Sequence, residues 1–430
     1  MQTNQPHVIA VEQLQIGMYI HLDLGWMDHP FTVSNFKIKD AEQIDKIKKI
    51  GLKRLRYDPT RSDCLPLPMP AIVATTNVTS VITNYTDSED DAKSQANAKN
   101  ERLKQLHRVI DENEKKFVIA SDMTRQISRN ILSSPQASIE QAELIVNDMV
   151  DTALSEGDIA VHALNGNRSS DANYQHPLNV TVLALIMAKA IEMSKEDARL
   201  LGMAALFHDI GKAEITDKIL MKKDPLTKSE QAHFEQHSEF GARIAKEVGL
   251  PVRISKIILQ HHECIDGSGY PKHLKAEQID PLSSLIGLVN SYDNLCNPNN
   301  FLLAKTPYET LAYLYAHQRS KYDDSLLKRL IKSLGIYPPG SIVQLSTGVH
   351  AIVISVNPNK PLRPFVMLHD QQATRKEPLI LDLRDEPSIS ISCCLRPNQL
   401  PLDVLDYLNP RKRISYFMDI DISDSETSPN

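Results

Sequence analysis

Five histidines and one aspartate in the middle of the chain form the group of residues best suited to chemistry. They are His176, His208, Asp209, His237, His261 and His262. Two of the histidines begin the stretch "HHECIDGSGYP", and another directly precedes the aspartate in "LFHDIGK". Imidazole and carboxylate groups are ligands that iron, manganese, nickel and zinc accept in proteins. The pattern therefore predicts a metal site.

The positions of these residues relative to the predicted helices support a common site. Each lies near a helix end, where several helices can converge on one cavity. A lone histidine is more often a surface residue or a hydrogen-bonded core residue, and we give that interpretation to His7, His21, His107 and His317. In a metal site, a carboxylate such as Asp209 can bridge two ions. Two ions about 3.5–4 Å apart can activate a water and bind a phosphoryl group.

Composition limits the partners that the chain can have. The 430 residues carry a formal net charge of −6, which argues against nucleic acid as the main partner. It does not argue against a small anionic ligand, because bound cations reverse the local field. Aromatic residues make up only 5% of the chain, so we expect mainly aliphatic, helical cores.

Features of the chain bear on its compartment. The N-terminal residues lack a basic region followed by an apolar run, so no signal peptide is predicted, and no apolar stretch reaches membrane-spanning length. The cysteines are Cys64, Cys264, Cys296, Cys393 and Cys394. Their odd number and the lack of C-x-x-C spacing argue against a disulfide framework or a structural zinc site. We therefore expect a reduced, cytoplasmic protein.

The elements that position the candidate site begin with a small N-terminal part. Residues 1–60 predict a mixed α/β domain, with Ile44, Ile47 and Ile50 on one face of a short helix. Residues 61–98 are rich in Pro, Thr, Asn, Ser and Asp and predict a linker. Residues 99–165 predict a helical connector. A coiled-coil homodimer through this connector is a weaker alternative, because no heptad pattern persists.

The main block, residues 166–335, predicts a helical bundle. Pro177 suits the first turn of one helix. Thr306 and Glu309 form a capping box at the start of another helix. Short β-rich runs then predict a small β subdomain at residues 336–415, and residues 416–430 predict a disordered tail. The expected fold class is therefore mainly α, with a small α/β N-terminal domain and a small β-rich C-terminal subdomain.

Two stretches resemble the signatures of a known family. "HDIGK" followed by "HHECIDGSGYP" looks like the HD-GYP family of metal-dependent phosphohydrolases, and the resemblance covers about residues 170–335. Residues 8–60 resemble the N-terminal domain of unknown function often fused to such proteins. The resemblance implies hydrolysis of the bacterial second messenger cyclic di-GMP to pGpG or GMP. It also implies a centre of two or three ions, most often iron or manganese.

Residue by residue, the resemblance implies a set of roles for this chain. Metal ligands are expected at His176, His208, Asp209, His237, His261 and His262. Asp209 should bridge the ions, and Lys212 should contact the scissile phosphate. Gly269, Tyr270 and Pro271 form the signature loop near the substrate. Glu263 and Asp266 are expected to support the ligands or to fix the loop.

The chain departs from the family pattern at three places. Ala172 stands where members with three ions carry a glutamate, so two divalent ions are expected. Asn290 stands where the family has a ligating aspartate, which makes it a weaker ligand candidate, and Asp293 occupies the second acidic position. The "D-R-P-Y" segment, with its cation for the ligand's phosphates, is absent, and nothing in the sequence positions Lys305 as a substitute.

Two functions from different classes stay open. The first is an active cyclic di-GMP phosphodiesterase that uses Asn290 as an unusual ligand. The second is a protein with little turnover that senses cyclic di-GMP or acts as a scaffold for a signalling partner. An HD hydrolase acting on another nucleotide is less compatible with the intact GYP loop. The sequence does not define the oligomeric state or the input signal of the N-terminal domain.

Overall fold

The structure, a computed structural model, divides into two compact units, residues 1–92 and residues 93–430. The residues that it describes are 7–22, 31, 35–50, 52, 54–58, 61–64, 108, 112, 115–155, 159–163, 172–222, 224–298, 300, 303–356, 360–369, 379–408 and 414–420. Within them, no helix is long and apolar enough to cross a membrane.

The N-terminal unit is a four-stranded antiparallel sheet in the order β1-β4-β2-β3, with one helix. Its elements are β1 His7–Ala10, β2 Tyr19–His21, β3 Asn35–Lys37, α1 Ala41–Lys49 and β4 Arg54–Asp58. Ile47 of α1 is fully buried with Ile20 and Ile38. The apolar spacing of the helix therefore supplies the face that covers the sheet.

The start of the predicted linker belongs to this sheet unit. The Tyr19 backbone N–H donates to Ser62 Oγ at 2.8 Å, and the Asp63 N–H donates to Gly17 O at 2.9 Å. Residues 61–64 are therefore fixed against the domain, and the prediction of a linker from residue 61 is wrong for these four residues. Residues 65–98 lie outside the described part of the chain.

The larger unit contains the following described helices. They are α2 115–130, α3 Pro135–Ala153, α4 Ala172–Ala190, α5 Lys195–Phe207, α6 Asp217–Leu220, α7 Lys228–Glu235, α8 His237–Glu247, α9 Val252–Gln260, α10 Pro281–Cys296, α11 Pro307–His317, α12 Asp324–Leu334 and α13 Leu402–Leu408. Helix α4 is central, since residues 178–188 are all buried. A helix that is apolar on all faces must be enclosed, and α3, α5, α10, α12 and β11 (Tyr416–Ile420) surround it.

A second, antiparallel sheet lies in the same unit. Its strands are β5 Ile159–Ala163, β6 Ile342–Leu345, β7 His350–Val356, β8 Phe365–Leu368, β9 Ile380–Asp382, β10 Ile391–Leu395 and β11. The main path runs β10-β6-β7-β5-β11, while β8 pairs with β7 and β9 pairs with β8. The C-terminal β-rich segment thus shares its sheet with β5, which precedes α4 in the chain.

This sheet changes two of the predicted segments. β5 lies inside residues 99–165, which were expected to form a helical connector. β11 occupies residues 416–420, the first five of the predicted disordered tail, so that prediction is wrong there. The strand is ordered by antiparallel pairing with β5 and by burial of Tyr416 and Met418. Residues 421–430 lie outside the described part of the chain.

Local helix signals were mostly accurate. The capping box of Thr306 and Glu309 is present at the start of α11, and Gly335, with φ 74°, ends α12. Ser194 caps α5 by accepting the Asp197 N–H. Pro177 does not begin its helix, because α4 starts five residues earlier. The fold class is confirmed as mainly α with a small N-terminal sheet and a β-rich C-terminal part.

Candidate metal centre

The six candidate ligands lie at helix ends that meet in the larger unit. His208 ends α5, and Asp209 opens the 3-10 turn of residues 210–214. His237 begins α8, and His261 with His262 follows α9. The turn after Asp209 packs directly on α8, because a Cβ on Gly211 would lie 1.9 Å from the His237 carbonyl oxygen. Only glycine permits this approach.

Three of the histidines are held by the backbone at the end of a helix. Their Nδ1 atoms lie close to carbonyl oxygens three residues earlier: His208 to Ala205 O at 2.7 Å, His237 to Phe234 O at 2.6 Å and His261 to Ile258 O at 2.6 Å. A carbonyl oxygen only accepts, so each Nδ1 must donate its proton. The Nε2 atom of each neutral ring therefore carries an unprotonated lone pair.

These Nε2 lone pairs converge on one place. His208 Nε2 lies 3.2 Å from His176 Nε2, and His262 Nε2 lies 3.1 Å from His237 Nε2. His176 Nδ1 is 2.6 Å from a carboxylate oxygen, so its Nε2 also faces the cluster without a proton when the ring is neutral. Facing lone pairs repel each other unless a cation or a proton lies among them. The arrangement therefore fits a site for metal ions.

Asp209 is shared by two sets of potential ligands. In one set it lies with His176 and His208, and in the other with His237, His261 and His262. Within each set the potential ligand atoms lie within 4.8 Å of one another. Asp209 Oδ1 and His261 Nε2 are buried and have no hydrogen-bond partner in the described part of the chain. Orphaned polar atoms of this kind are costly to bury, and coordination to an ion would satisfy both.

The protonation preferences agree with a ligand role for the buried histidines. Burial lowers the pKa of His261 and of His262 well below its usual value, and neighbouring histidines lower it further. Burial also lowers the pKa of His237. These three rings are neutral near pH 7, which is the form that binds metal ions.

At Asp209 and His176, charged neighbours shift the pKa more than burial does. Burial raises the pKa of Asp209, but Lys212 and the nearby histidines outweigh it and hold the pKa well below its usual value. Burial lowers the pKa of His176, but hydrogen bonds to Asp209 and Asp293 raise it to about 9. The two carboxylates make this position attractive to positive charge, which a bound cation supplies in place of the proton.

Lys212 lies beside the shared carboxylate. Its ammonium group donates to Asp209 Oδ2 and lies 5.6 Å from the centre of the Phe234 ring. The side chain remains 31% exposed, so the ammonium reaches both the cluster and solvent. Its position is compatible with contact to an anionic ligand that approaches the ions.

The GYP loop packs against the paired histidines. The ring of Tyr270 stacks on His262 with centroids 4.5 Å apart, and the Tyr270 N–H donates to His262 O at 3.2 Å. A Cβ on Gly269 would lie 2.4 Å from that carbonyl oxygen, so the loop can approach only as glycine. Pro271 follows directly. The loop therefore forms one wall of the cluster.

Two acids fix the same loop rather than joining the ligands. Glu263 is buried and accepts the N–H groups of Lys272 at 2.7 Å and Leu274 at 2.8 Å. Asp266 accepts the Ser268 N–H at 3.0 Å. Neither acid belongs to the two ligand sets of the described residues.

Asn290 and Lys305 are not brought into the cluster by any described contact. Asn290 is buried on α10, but its Oδ1 accepts from Asn294 Nδ2 at 2.7 Å within the same helix. Lys305 places its ammonium 4.7 Å from the centre of the Tyr313 ring. The amide oxygen of Asn290 has a second lone pair, but no described contact directs it at the cluster.

Sequence reasoning gave Asp293 no role, yet it contacts the first ligand of the cluster. Its Oδ2 lies 2.6 Å from His176 Nδ1, and its side chain is fully buried. Its spacing of three residues from Asn290 was visible in the sequence. The partner was not, because the two residues of the contact are 117 positions apart. A carboxylate that accepts the Nδ1 proton of a ligating histidine is a common support of metal sites.

Comparisons with known proteins agree with this organisation. The model of the HD domain matches residues 130–326, and the model of a domain of unknown function, DUF3391, matches residues 7–161. A KOW domain associated with HD domains matches residues 342–402. The matched N-terminal region extends well beyond residue 60 and reaches β5.

Several characterised relatives are similar to this chain. A cyclic di-GMP phosphodiesterase of Pseudomonas aeruginosa is 26% identical over 83% of this chain and 84% of its own length. A cyclic di-GMP phosphodiesterase response regulator of Xanthomonas campestris is 31% identical over 35% of this chain and 40% of its own length. A 3'3'-cGAMP-specific phosphodiesterase of Vibrio cholerae is 25% identical over 49% of this chain and 45% of its own length.

Proposed function

Because residues 130–326 match the HD-domain model and a cyclic di-GMP phosphodiesterase is similar over 83% of this chain, we propose that it is an HD-GYP-type, metal-dependent phosphodiesterase that hydrolyses cyclic di-GMP to pGpG or GMP. The proposed centre binds two divalent ions, iron or manganese. Their ligands are His176, His208, Asp209, His237, His261 and His262, with Asp209 bridging the ions. A relative that matches 83% of this chain is named for cyclic di-GMP, and one named for 3'3'-cGAMP matches 49%, which supports cyclic di-GMP as the substrate.

One observation carries the proposal. Histidine Nε2 atoms from different helices face one another at 3.1–3.2 Å around a carboxylate whose Oδ1 has no hydrogen-bond partner in the described residues. A purely structural cluster would pair the buried Asp209 Oδ1 and His261 Nε2 with donors, and neither has one in the described residues. Ions bound there would supply an activated water and would offset the charge of a phosphoryl group.

The other residues act on the substrate and on the shape of the site. Lys212 is assigned to the scissile phosphate, where a preorganised ammonium stabilises the charge that develops in the transition state. Its pairing with Asp209 keeps it beside the cluster. Gly269, Tyr270 and Pro271 are assigned to border the substrate, because their loop packs on the ring and the backbone of His262.

The alternative function is a cyclic di-GMP sensor or signalling scaffold with little turnover. Asn290 favours it, because an amide adds no charge to the ligand set and its oxygen already accepts from Asn294. The missing cation for the phosphates of the ligand favours it as well, because Lys305, the candidate substitute, lies over the ring of Tyr313. The complete set of six other ligands favours the enzyme.

The test compares hydrolysis with metal binding on the same protein. The full chain is loaded with Fe²⁺ or Mn²⁺ without oxygen, its metal content is measured, and cyclic di-GMP and 3'3'-cGAMP are supplied separately. We expect close to two ions per chain and faster hydrolysis of cyclic di-GMP. His237→Ala should lose metal and activity. His233→Ala is the matched control, because this partly exposed histidine instead pairs with Gln236.

Each other outcome rejects a defined part of the proposal. Binding of cyclic di-GMP by the metal-loaded protein without hydrolysis would replace the enzyme with the sensor. Preferential hydrolysis of 3'3'-cGAMP would reject the substrate. A wild-type chain that retains no metal would reject the centre itself.

A further inference from the structure

Asp293 is held in place by two asparagine side chains. Asn179 of α4 donates through Nδ2 to Asp293 Oδ1 at 2.9 Å, and Asn297, just after α10, donates to the same oxygen at 2.8 Å. The other oxygen accepts from His176. All of this carboxylate is buried, and a buried carboxylate needs such donors to offset its lost hydration.

The same two asparagines also bind the backbone that leads into β11. The Asn179 and Asn297 Nδ2 groups donate to Ile414 O at 2.8 Å and 2.9 Å. In return, Asn297 Oδ1 accepts the Ile414 N–H at 2.7 Å, and Asn179 Oδ1 accepts the Tyr416 N–H at 3.3 Å. Each amide therefore connects Asp293 to the C-terminal strand through direct hydrogen bonds.

A further contact joins β11 to the helix that carries Asp293. The Tyr416 hydroxyl lies 3.0 Å from the Tyr292 hydroxyl, and both side chains are fully buried. The strand also pairs with β5 along its whole length. β11 thus connects α4, which carries His176, with α10, which carries Asp293.

We infer that β11 is a structural part of the metal centre, because Asn179 and Asn297 use its backbone to position Asp293 and thereby His176. The inference rests on the proposed role of His176 as a metal ligand. It assigns Asn179, Asn297 and the segment 414–416 as positioning elements, which nothing in the motifs of the sequence indicated. None of them belongs to the six proposed ligands.

The physical reason lies in the tautomer of His176. While Asp293 accepts from Nδ1, the proton stays on Nδ1 and Nε2 keeps its lone pair for a cation. If Asp293 turns away, the ring has no other described acceptor for Nδ1, and nothing holds its Nε2 toward the cluster. Loss of this clamp, the hydrogen bonds from Asn179 and Asn297 to Asp293, should therefore weaken the ion near His176 more than the ion near His237 and His261.

Isosteric substitutions test this in the full chain. Asn179→Asp and Asn297→Asp keep the oxygen that accepts from β11 but replace the donor with an oxygen that repels Asp293. We expect one ion to bind ~10–100-fold more weakly, the usual loss when a support of a metal ligand is removed. Release of Mn²⁺ to a chelator should then show one accelerated phase beside one unchanged phase.

A matched control removes a buried hydrogen bond on the other side of the cluster. Ser255 of α9 donates to Ala242 O of α8 at 2.7 Å, so Ser255→Ala should lower the melting temperature without changing Mn²⁺ release. Deletion of residues 409–430 removes β11 and leaves both asparagines, and it should reproduce the single accelerated phase. If the deleted chain does not fold, the two isosteric variants still decide the question.

The outcomes separate this inference from the proposed function. Mn²⁺ release that is unchanged in both asparagine variants, or accelerated equally by Ser255→Ala, would overturn the inference while leaving a metal-loaded, active wild type intact. A wild-type chain that binds no Mn²⁺ would overturn the proposed centre and the inference with it. A single accelerated phase in both asparagine variants, with none in Ser255→Ala, would support the clamp.

Discussion

The two sides of the candidate metal centre are supported in different ways. His237 and His261 donate to backbone carbonyls three residues earlier, at or near the end of a helix. His176 instead donates to Asp293, 117 residues later, and Asp293 is held by groups that also bind the C-terminal strand. One side is anchored locally, and the other is anchored by distant parts of the chain.

The local anchors use atoms that every helix leaves free. The last carbonyl groups of a helix lack an N–H partner, and a histidine just after the helix can satisfy one of them. His208 does this at the end of α5 and His261 at the end of α9. Formation of the helix end therefore also fixes the tautomer of the ring. His176 is near the start of α4 and has no such carbonyl, so it depends on tertiary contacts.

The largest effect is expected where the two sides meet. Asp209→Ala removes the carboxylate that both ligand sets share, so both ions should be lost and hydrolysis should fall to background. Elemental analysis and turnover on one preparation measure this. Asp217→Ala, an exposed aspartate in the same region, should leave both quantities unchanged. Retention of both ions after Asp209→Ala would refute a bridging role.

A change at Lys212 should lower turnover without weakening metal binding on either side of the centre. Lys212→Ala is expected to lower the turnover number by ~10²–10³, the usual cost of one preorganised charge stabiliser. Its metal content should stay near that of the wild type, because an ammonium is not a ligand. Lys218→Ala is the control, since that side chain is exposed on α6. An unchanged turnover number would make Lys212 a surface residue paired with Asp209.

The comparison of the two sides is tested most directly at Asp293. Asp293→Ala should weaken one ion by ~10–100-fold and leave the other unchanged. Asp293→Asn should cost less, because an amide oxygen can still accept from His176 Nδ1. Chelator titration of each variant measures the dissociation constants of both ions. Equal weakening of both ions would mean that the two sides are not independently supported.

The smallest effect is expected at Asn290. Asn290→Asp restores the carboxylate that the family resemblance expects at this buried position, so resistance to a chelator should rise by a few-fold if the side chain faces the ions. Turnover should rise with it only if metal occupancy limits the wild type. If Asn290 keeps its bond to Asn294 and does not face the ions, neither metal retention nor turnover will move.

The sequence by itself indicated the residues of the candidate centre and most of the helices that carry them. The reason is local: a histidine at a helix end donates to a carbonyl three residues earlier, and the glycine at position 269 packs on the nearby His262 carbonyl. The helical class followed from the same short-range signals, such as the capping box at Thr306.

The tertiary structure decided how the His176 side is supported. Residues 416–420 read "YFMDI", which is apolar enough for a strand, but nothing near them in the chain indicates that β5 is their partner. Asp293, Asn179 and Asn297 are distant in sequence from the residues they hold, so no spacing rule connects them. Hydrogen bonds between distant segments form only after the whole unit has folded, and for that reason the support of His176 could not be predicted from its neighbours in the chain.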